Sequence, residues 1–136
     1  MTTHVSLEKM KAGAKASIRG VQSNVLIGRT YRFESAHHLP CVPDGHKCKH
    51  MHGHNYRIEI VTSGPIDDRG FVRDFAELDS DVLPLIKLVD HKVLNDVDGL
   101  ENPTAENIAL WFLARIPGCQ SVRVYENDDC WAQAAI

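Results

Sequence analysis

Apolar and polar residues alternate strictly over Tyr56-Arg57-Ile58-Glu59-Ile60, the two-residue period of a strand with one buried face, and predict a strand beginning near His54. Upstream the pattern tightens from Val25. The run Thr30-Tyr31-Arg32-Phe33-Glu34-Ser35-Ala36 mixes aromatic with polar residues and predicts an earlier strand ending near His38. A loop rich in Pro40, Pro43 and Gly45 separates the two, which pair as an antiparallel hairpin. Ser63-Gly64-Pro65 and Asp67-Asp68-Arg69-Gly70 read as turns.

Beyond those turns the period changes to that of a helix. Leu78, Val82, Leu85 and Leu88 or Val89 recur at helical spacing behind Asp74, an acidic cap with Glu77 three residues on, and predict a helix over about 75–88. Pro84 lies inside it and should bend it or free a carbonyl. Thr104 opens a second helix whose stripe of Ile108, Trp111, Phe112 and Ile116 ends at Pro117-Gly118. Residues 120–126, with Val122 and Val124 on one face, and 130–136 read as a closing hairpin. The order is ββααββ, an α+β domain with two helices packed on one face of a four-stranded antiparallel sheet.

Residues 1–24 lack sustained periodicity, carry Lys9, Lys11, Lys15 and Arg19, and are expected to form a mobile N-terminal extension to a single domain over 25–136. A length of 136 residues and 43% hydrophobic content suit one core without disulfides. Fifteen Lys and Arg against 18 Asp and Glu leave a net charge of -3, which gives no basic footprint for nucleic acid. No apolar run approaches the roughly 18 residues of a membrane span. The N-terminus has no apolar stretch leading to a small-residue cleavage site, so a cytoplasmic, reducing setting is expected.

The chemistry is concentrated in histidine: six of the eight lie between residues 37 and 54. His52-Gly53-His54 puts two imidazoles on the same face of an extended chain. A third, from His37 or His38 at the end of the preceding strand, would complete a site with an open fourth position; His50 is a further candidate. Parity alone does not choose among them. Cys48, flanked by Lys47 and Lys49 and four residues before His52, is placed to act as a thiolate base or nucleophile, with Cys41 the weaker rival. Cys119 and Cys130 read as small core residues. Asp90 can orient His91 if the chain turns so that they meet. Glu126 shares parity with Val122 and Val124 and, half-buried, needs a partner: an Arg, or a ligand edge with two parallel N–H donors. Glu106 could reinforce that edge, although an acid at a helix start also suits the helix dipole.

Taken together, Phe33-Glu34-Ser35-Ala36-His37, Cys48-Lys49-His50-Met51-His52-Gly53-His54, Leu88-Val89-Asp90-His91, Asn102-Pro103-Thr104-Ala105-Glu106 and Val124-Tyr125-Glu126 resemble the 6-pyruvoyltetrahydropterin synthase superfamily from about residue 28 onward. The spacing from Cys48 to His-Gly-His is that of the bacterial branch of the queuosine and 7-deazaguanine pathway. The resemblance implies a tunnelling fold (T-fold), Zn2+ on His37, His52 and His54, and Cys48, Asp90, His91 and Glu126 as catalytic residues. It also makes Glu126 the pterin anchor and places Thr104 and Glu106 along the pterin pocket. The implied reaction converts 7,8-dihydroneopterin triphosphate and water to 6-carboxy-5,6,7,8-tetrahydropterin, acetaldehyde and triphosphate. It further implies a homo-oligomer, trimer or hexamer, with active sites between subunits. Sister activities on this fold, forming the 6-pyruvoyl product or cleaving dihydroneopterin, are the nearest alternatives, followed by a zinc-dependent hydrolase of other small molecules and a non-catalytic zinc- or purine-binding module. Ser35 in place of a common Ala and Asn127 in place of a common Thr depart from the family pattern.

Overall fold

The computed structural model describes residues 24–136, together with the backbone of two short strands, β1 (Ser17–Ile18) and β2 (Val21–Gln22), which pair with each other. Apart from these strands and Asn24, the expectation of a mobile extension over 1–24 lies outside the described residues.

The main sheet has the order β3 (Val25–His37), β4 (His52–Gly64), β5 (Cys119–Asn127) and β6 (Cys130–Ala135), every neighbouring pair antiparallel. Between β4 and β5 come helix α1 (Phe75–Val89) and helix α2 (Ala105–Arg115). This is the ββααββ arrangement read from the periodicity. β4 differs at its ends. It starts at His52 and continues through Ser63 and Gly64, which read locally as a turn, because Gly64 still pairs with Val25 and Ser63 with Leu26.

The two-residue period decides which side chains meet the helices. Tyr31, Phe33, Ser35 and His37 on β3, and Tyr56, Ile58, Ile60 and Thr62 on β4, point inward and are buried. Val122 and Val124 on β5 join Leu78, Val82, Ile108, Trp111 and Phe112 in the same core. Each fully buried aliphatic or aromatic side chain of this set contributes about 1.5–3 kcal/mol of transfer free energy. Phe33 stacks on Tyr56 with ring centroids 4.7 Å apart and meets Phe112 at 6.1 Å, tying the β3–β4 hairpin to α2.

Helix starts follow the sequence signals. Asp74 accepts from the Ala76 amide at 2.8 Å, and Thr104 accepts from the Asn107 amide at 3.1 Å. Glu77 does not complete a capping box; it pairs instead with Arg69 at 2.9 Å. α1 runs uninterrupted through Pro84, whose side chain is exposed, as is Ser80, the residue whose carbonyl the proline cannot serve. Water can satisfy a carbonyl there. Cys119 is buried as expected, whereas Cys130 is exposed, because it begins β6 directly after the tight turn that Asn127 closes with its side chain.

Candidate metal centre and neighbouring acid–histidine pair

The register of the first hairpin builds the site. His37 stands directly opposite His52, and Ser35 opposite His54, so three inward-facing positions at one end of the sheet carry imidazoles. His38 points the other way. Its backbone is clamped by Asn95, whose side chain accepts from the His38 amide at 3.0 Å and donates to its carbonyl at 2.9 Å. One ring nitrogen from each of His37, His52 and His54 lies within 4.8 Å of the other two.

Hydrogen bonds fix the ring tautomers. His37 Nδ1 donates to the carbonyl of Pro103 at 2.8 Å, and His52 Nδ1 donates to the carbonyl of His50 at 2.7 Å. Both Nε2 atoms are then lone-pair donors, and they face each other at 2.9 Å. His54 adds a buried Nε2 with no hydrogen-bond partner. Two facing lone pairs and an orphaned third nitrogen are unfavourable until a cation sits among them, and backbone partners on the far nitrogens are the usual support of metal-binding imidazoles. Burial lowers the pKa of His37, against the pull of the Pro103 carbonyl, and burial likewise lowers that of His54, against the pull of Glu126. Neutral imidazoles are the ligating form. The donor set therefore fits a divalent cation such as Zn2+ with an open coordination position.

Two further side chains complete this cluster. The Glu126 carboxylate reaches it from β5, 3.9 Å from His54 Nε2, so among the described residues it faces a site histidine and pairs with no arginine. Tyr56, fully buried two residues after His54, places its hydroxyl 3.2 Å from His37 Nδ1. Burial, reinforced by Glu126, pushes the phenol's pKa up, so it stays protonated. Tyr56 and the Pro103 carbonyl are site groups that the sequence reading missed. The shared parity of His54 and Tyr56 was the available signal for the first.

Asp90 and His91 do meet, at the edge of β3. Asp90 Oδ1 lies 2.9 Å from His91 Nδ1, and the same carboxylate accepts from the Glu34 amide at 2.9 Å. The chain makes this possible by placing His91 in the left-handed region, at φ 55°. First the Glu34 amide, then the contact with His91, holds the Asp90 carboxyl below the usual carboxylate range. Among the described residues, no hydrogen bond or ion pair joins this pair to the three histidines.

Cys48 sits in a short 3-10 turn, Lys47–Lys49, in the loop that precedes β4. Lys49 turns away from it to Asp44, at 2.6 Å. Thr104 is engaged as the α2 cap, next to the Pro103 carbonyl that receives His37, and Glu106 is exposed on the first turn. Neither Cys48, Thr104 nor Glu106 bonds to the histidine cluster in the single chain.

Comparison with known proteins gives this arrangement its family. The description "6-pyruvoyl tetrahydropterin synthase" belongs to the family that matches residues 26–135. A relative from Archaeoglobus fulgidus, provisionally named 6-carboxy-5,6,7,8-tetrahydropterin synthase, is 36% identical over 118 residues, covering 83% of this chain and 97% of its own. A Synechocystis protein named 6-carboxy-5,6,7,8-tetrahydropterin synthase is 39% identical over 115 residues, 75% of this chain and 86% of that one. In fold, the chain superimposes on 6-pyruvoyl tetrahydropterin synthase of Caenorhabditis elegans with a TM-score of 0.77 at 24% identity, covering 84% of this chain and 96% of the other. The chain is a member of the 6-pyruvoyl tetrahydropterin synthase family and an enzyme of the T-fold class.

Proposed function

We propose that the protein converts 7,8-dihydroneopterin triphosphate and water to 6-carboxy-5,6,7,8-tetrahydropterin, acetaldehyde and triphosphate, as a zinc-dependent carbon–carbon lyase serving queuosine and 7-deazaguanine biosynthesis. The observation that carries this reading is the convergence of three imidazoles and the Glu126 carboxylate at one end of the sheet, in a chain whose relatives bear that name.

His37, His52 and His54 hold the metal, which when bound supplies Lewis acidity toward oxygen atoms of the substrate side chain. Glu126 accepts the two parallel N–H donors of the aminopyrimidine edge and so sets the pterin's orientation. Thr104 and Glu106 belong to the wall beside it. Cys48, as thiolate, takes the carbon-bound proton, and His91, oriented by Asp90, passes protons as the ring is reduced at the expense of the side chain. No external redox cofactor enters this balance.

The site works between subunits of a homotrimer or homohexamer. Two features support this: the Asp90–His91 pair lies exposed at the sheet edge, apart from the histidine cluster, and β6 forms the opposite edge of the sheet. No helix among the described residues is long and apolar enough to cross a membrane. All four cysteines are free, in keeping with a reducing cytoplasm.

Cys48→Ala tests the assignment against its rivals. Loss of turnover with zinc retained is expected. A fully active variant would point to a metal hydrolase and overturn the mechanism, and a wild-type protein that binds zinc and pterin without turnover would be a binding module.

A further inference from the structure

Glu34 stands in the middle of Phe33-Glu34-Ser35-Ala36-His37, yet neither the core nor the histidine cluster uses its side chain. Phe33, Ser35 and His37 face the helices and are buried, while Glu34 lies on the exposed face of β3. All three of its functional groups nevertheless meet Asp90–His91. Its amide donates to Asp90 Oδ1 at 2.9 Å, its carbonyl accepts from the His91 amide at 2.6 Å, and its carboxylate Oε2 lies 3.8 Å from His91 Nε2. With Asp90 at Nδ1, the imidazole is bracketed by one carboxylate at each nitrogen. Among the described residues, the Glu34 carboxylate has no other hydrogen bond or ion pair.

The backbone contacts explain where His91 sits. Its left-handed conformation is held by the bond to the Glu34 carbonyl, and the following Lys92 carbonyl accepts from the Ala36 amide at 2.9 Å, so residues 90–92 run along the edge of β3. They leave the ring torsion open, because a histidine's terminal torsion is broad and Asp90 holds the ring at one corner only. The Glu34 carboxylate, 3.8 Å from the far nitrogen, is the side chain placed to limit that freedom. A catalytic group out of line by about an ångström can lose on the order of a hundredfold in rate, so holding the ring direction has kinetic weight.

We propose that Glu34 is a positioning residue for His91: its backbone sets the position of the imidazole and its carboxylate sets the ring's direction, presenting Nε2 at the sheet edge to a substrate seated on a neighbouring subunit. The role in turnover rests on the pterin reaction proposed above; the ring restraint does not.

The test uses the zinc-loaded oligomer and two variants. Glu34→Ala is expected to lower kcat by about tenfold to a hundredfold, with KM within about twofold, zinc content unchanged and the unfolding midpoint unchanged. Glu34→Gln keeps an acceptor oxygen at the same reach and is expected to recover most of kcat. In parallel, 13C relaxation of the His91 ring is expected to show a more mobile imidazole in Glu34→Ala than in the wild type. Full kcat and an equally ordered ring in Glu34→Ala would overturn the proposal, as would a fall in kcat matched by lost zinc or lost stability. If the wild type makes no pterin product, the reaction assignment fails, while the relaxation measurement still decides whether Glu34 orders the ring.

Discussion

His37 Nε2 and His52 Nε2 face each other at 2.9 Å while both Nδ1 atoms donate to backbone carbonyls. Neither nitrogen can supply a proton to the other in that tautomer, so the contact suits a shared cation. His37→Ala, which removes one of the three proposed ligands, is expected to abolish zinc binding, and a chelator should lower the wild-type unfolding midpoint. Metal analysis after dialysis checks the first, and thermal unfolding with and without chelator the second. Undiminished zinc in His37→Ala would transfer the ligand role to His38 or His50.

Tyr56 lies behind this pair, its hydroxyl 3.2 Å from His37 Nδ1 and its ring stacked on Phe33. Tyr56→Phe keeps the stack and removes the hydroxyl, so the fold should persist while the support of His37 weakens. Outer partners of metal ligands typically contribute about 10–100-fold in affinity. Competition with a chelator should show zinc affinity reduced toward the lower end of that range, and an unchanged affinity would mean that the Pro103 carbonyl alone orients His37.

Gly53 separates the two strand histidines where the backbones crowd. A Cβ there would meet the Ser35 carbonyl oxygen at 3.2 Å, and that oxygen belongs to a paired strand that cannot easily retreat. Gly53→Ala should destabilise the protein by about 1–3 kcal/mol, as overpacking does, and displace His52 and His54 together. Thermal unfolding and zinc content should therefore fall in concert.

Burial makes the site sensitive to acid. His37 and His54 have pKa values lowered from 6.5 in the folded chain, so below that pH the unfolded chain binds more protons than the folded one. The metal-free protein should have this part of its stability in full above about pH 6.5 and lose it as the pH falls toward the lower folded values. Protons also compete with metal in the same window. Unfolding midpoints of metal-free protein measured from pH 5 to pH 8 should fall on the acid side, and a flat profile would contradict the burial argument.

The fold was legible because its elements carry clean periods: alternation in β4, helical spacing behind Asp74 and Thr104, and capping residues at both helix starts. The ends of β4 were not, since Ser63-Gly64 has local turn chemistry that long-range pairing with Val25 and Leu26 overrides. The site was legible in part for the same reason. His52 and His54 share a face by spacing alone, but parity left His37 and His38 open; the family resemblance chose His37, and the cross-strand register sets it against His52. The meeting of Asp90 with His91 depended on a left-handed residue at 91, a conformation that a histidine does not announce. Groups contributed by backbone, the carbonyls of Pro103 and His50 and the amide of Glu34, leave no mark on side-chain patterns.

The central claim is the reaction, and the product balance tests it most directly. Zinc-loaded protein incubated with 7,8-dihydroneopterin triphosphate should release acetaldehyde, triphosphate and 6-carboxy-5,6,7,8-tetrahydropterin in equal amounts. Accumulation of the 6-pyruvoyl product without acetaldehyde, or no consumption of the substrate at all, would contradict it.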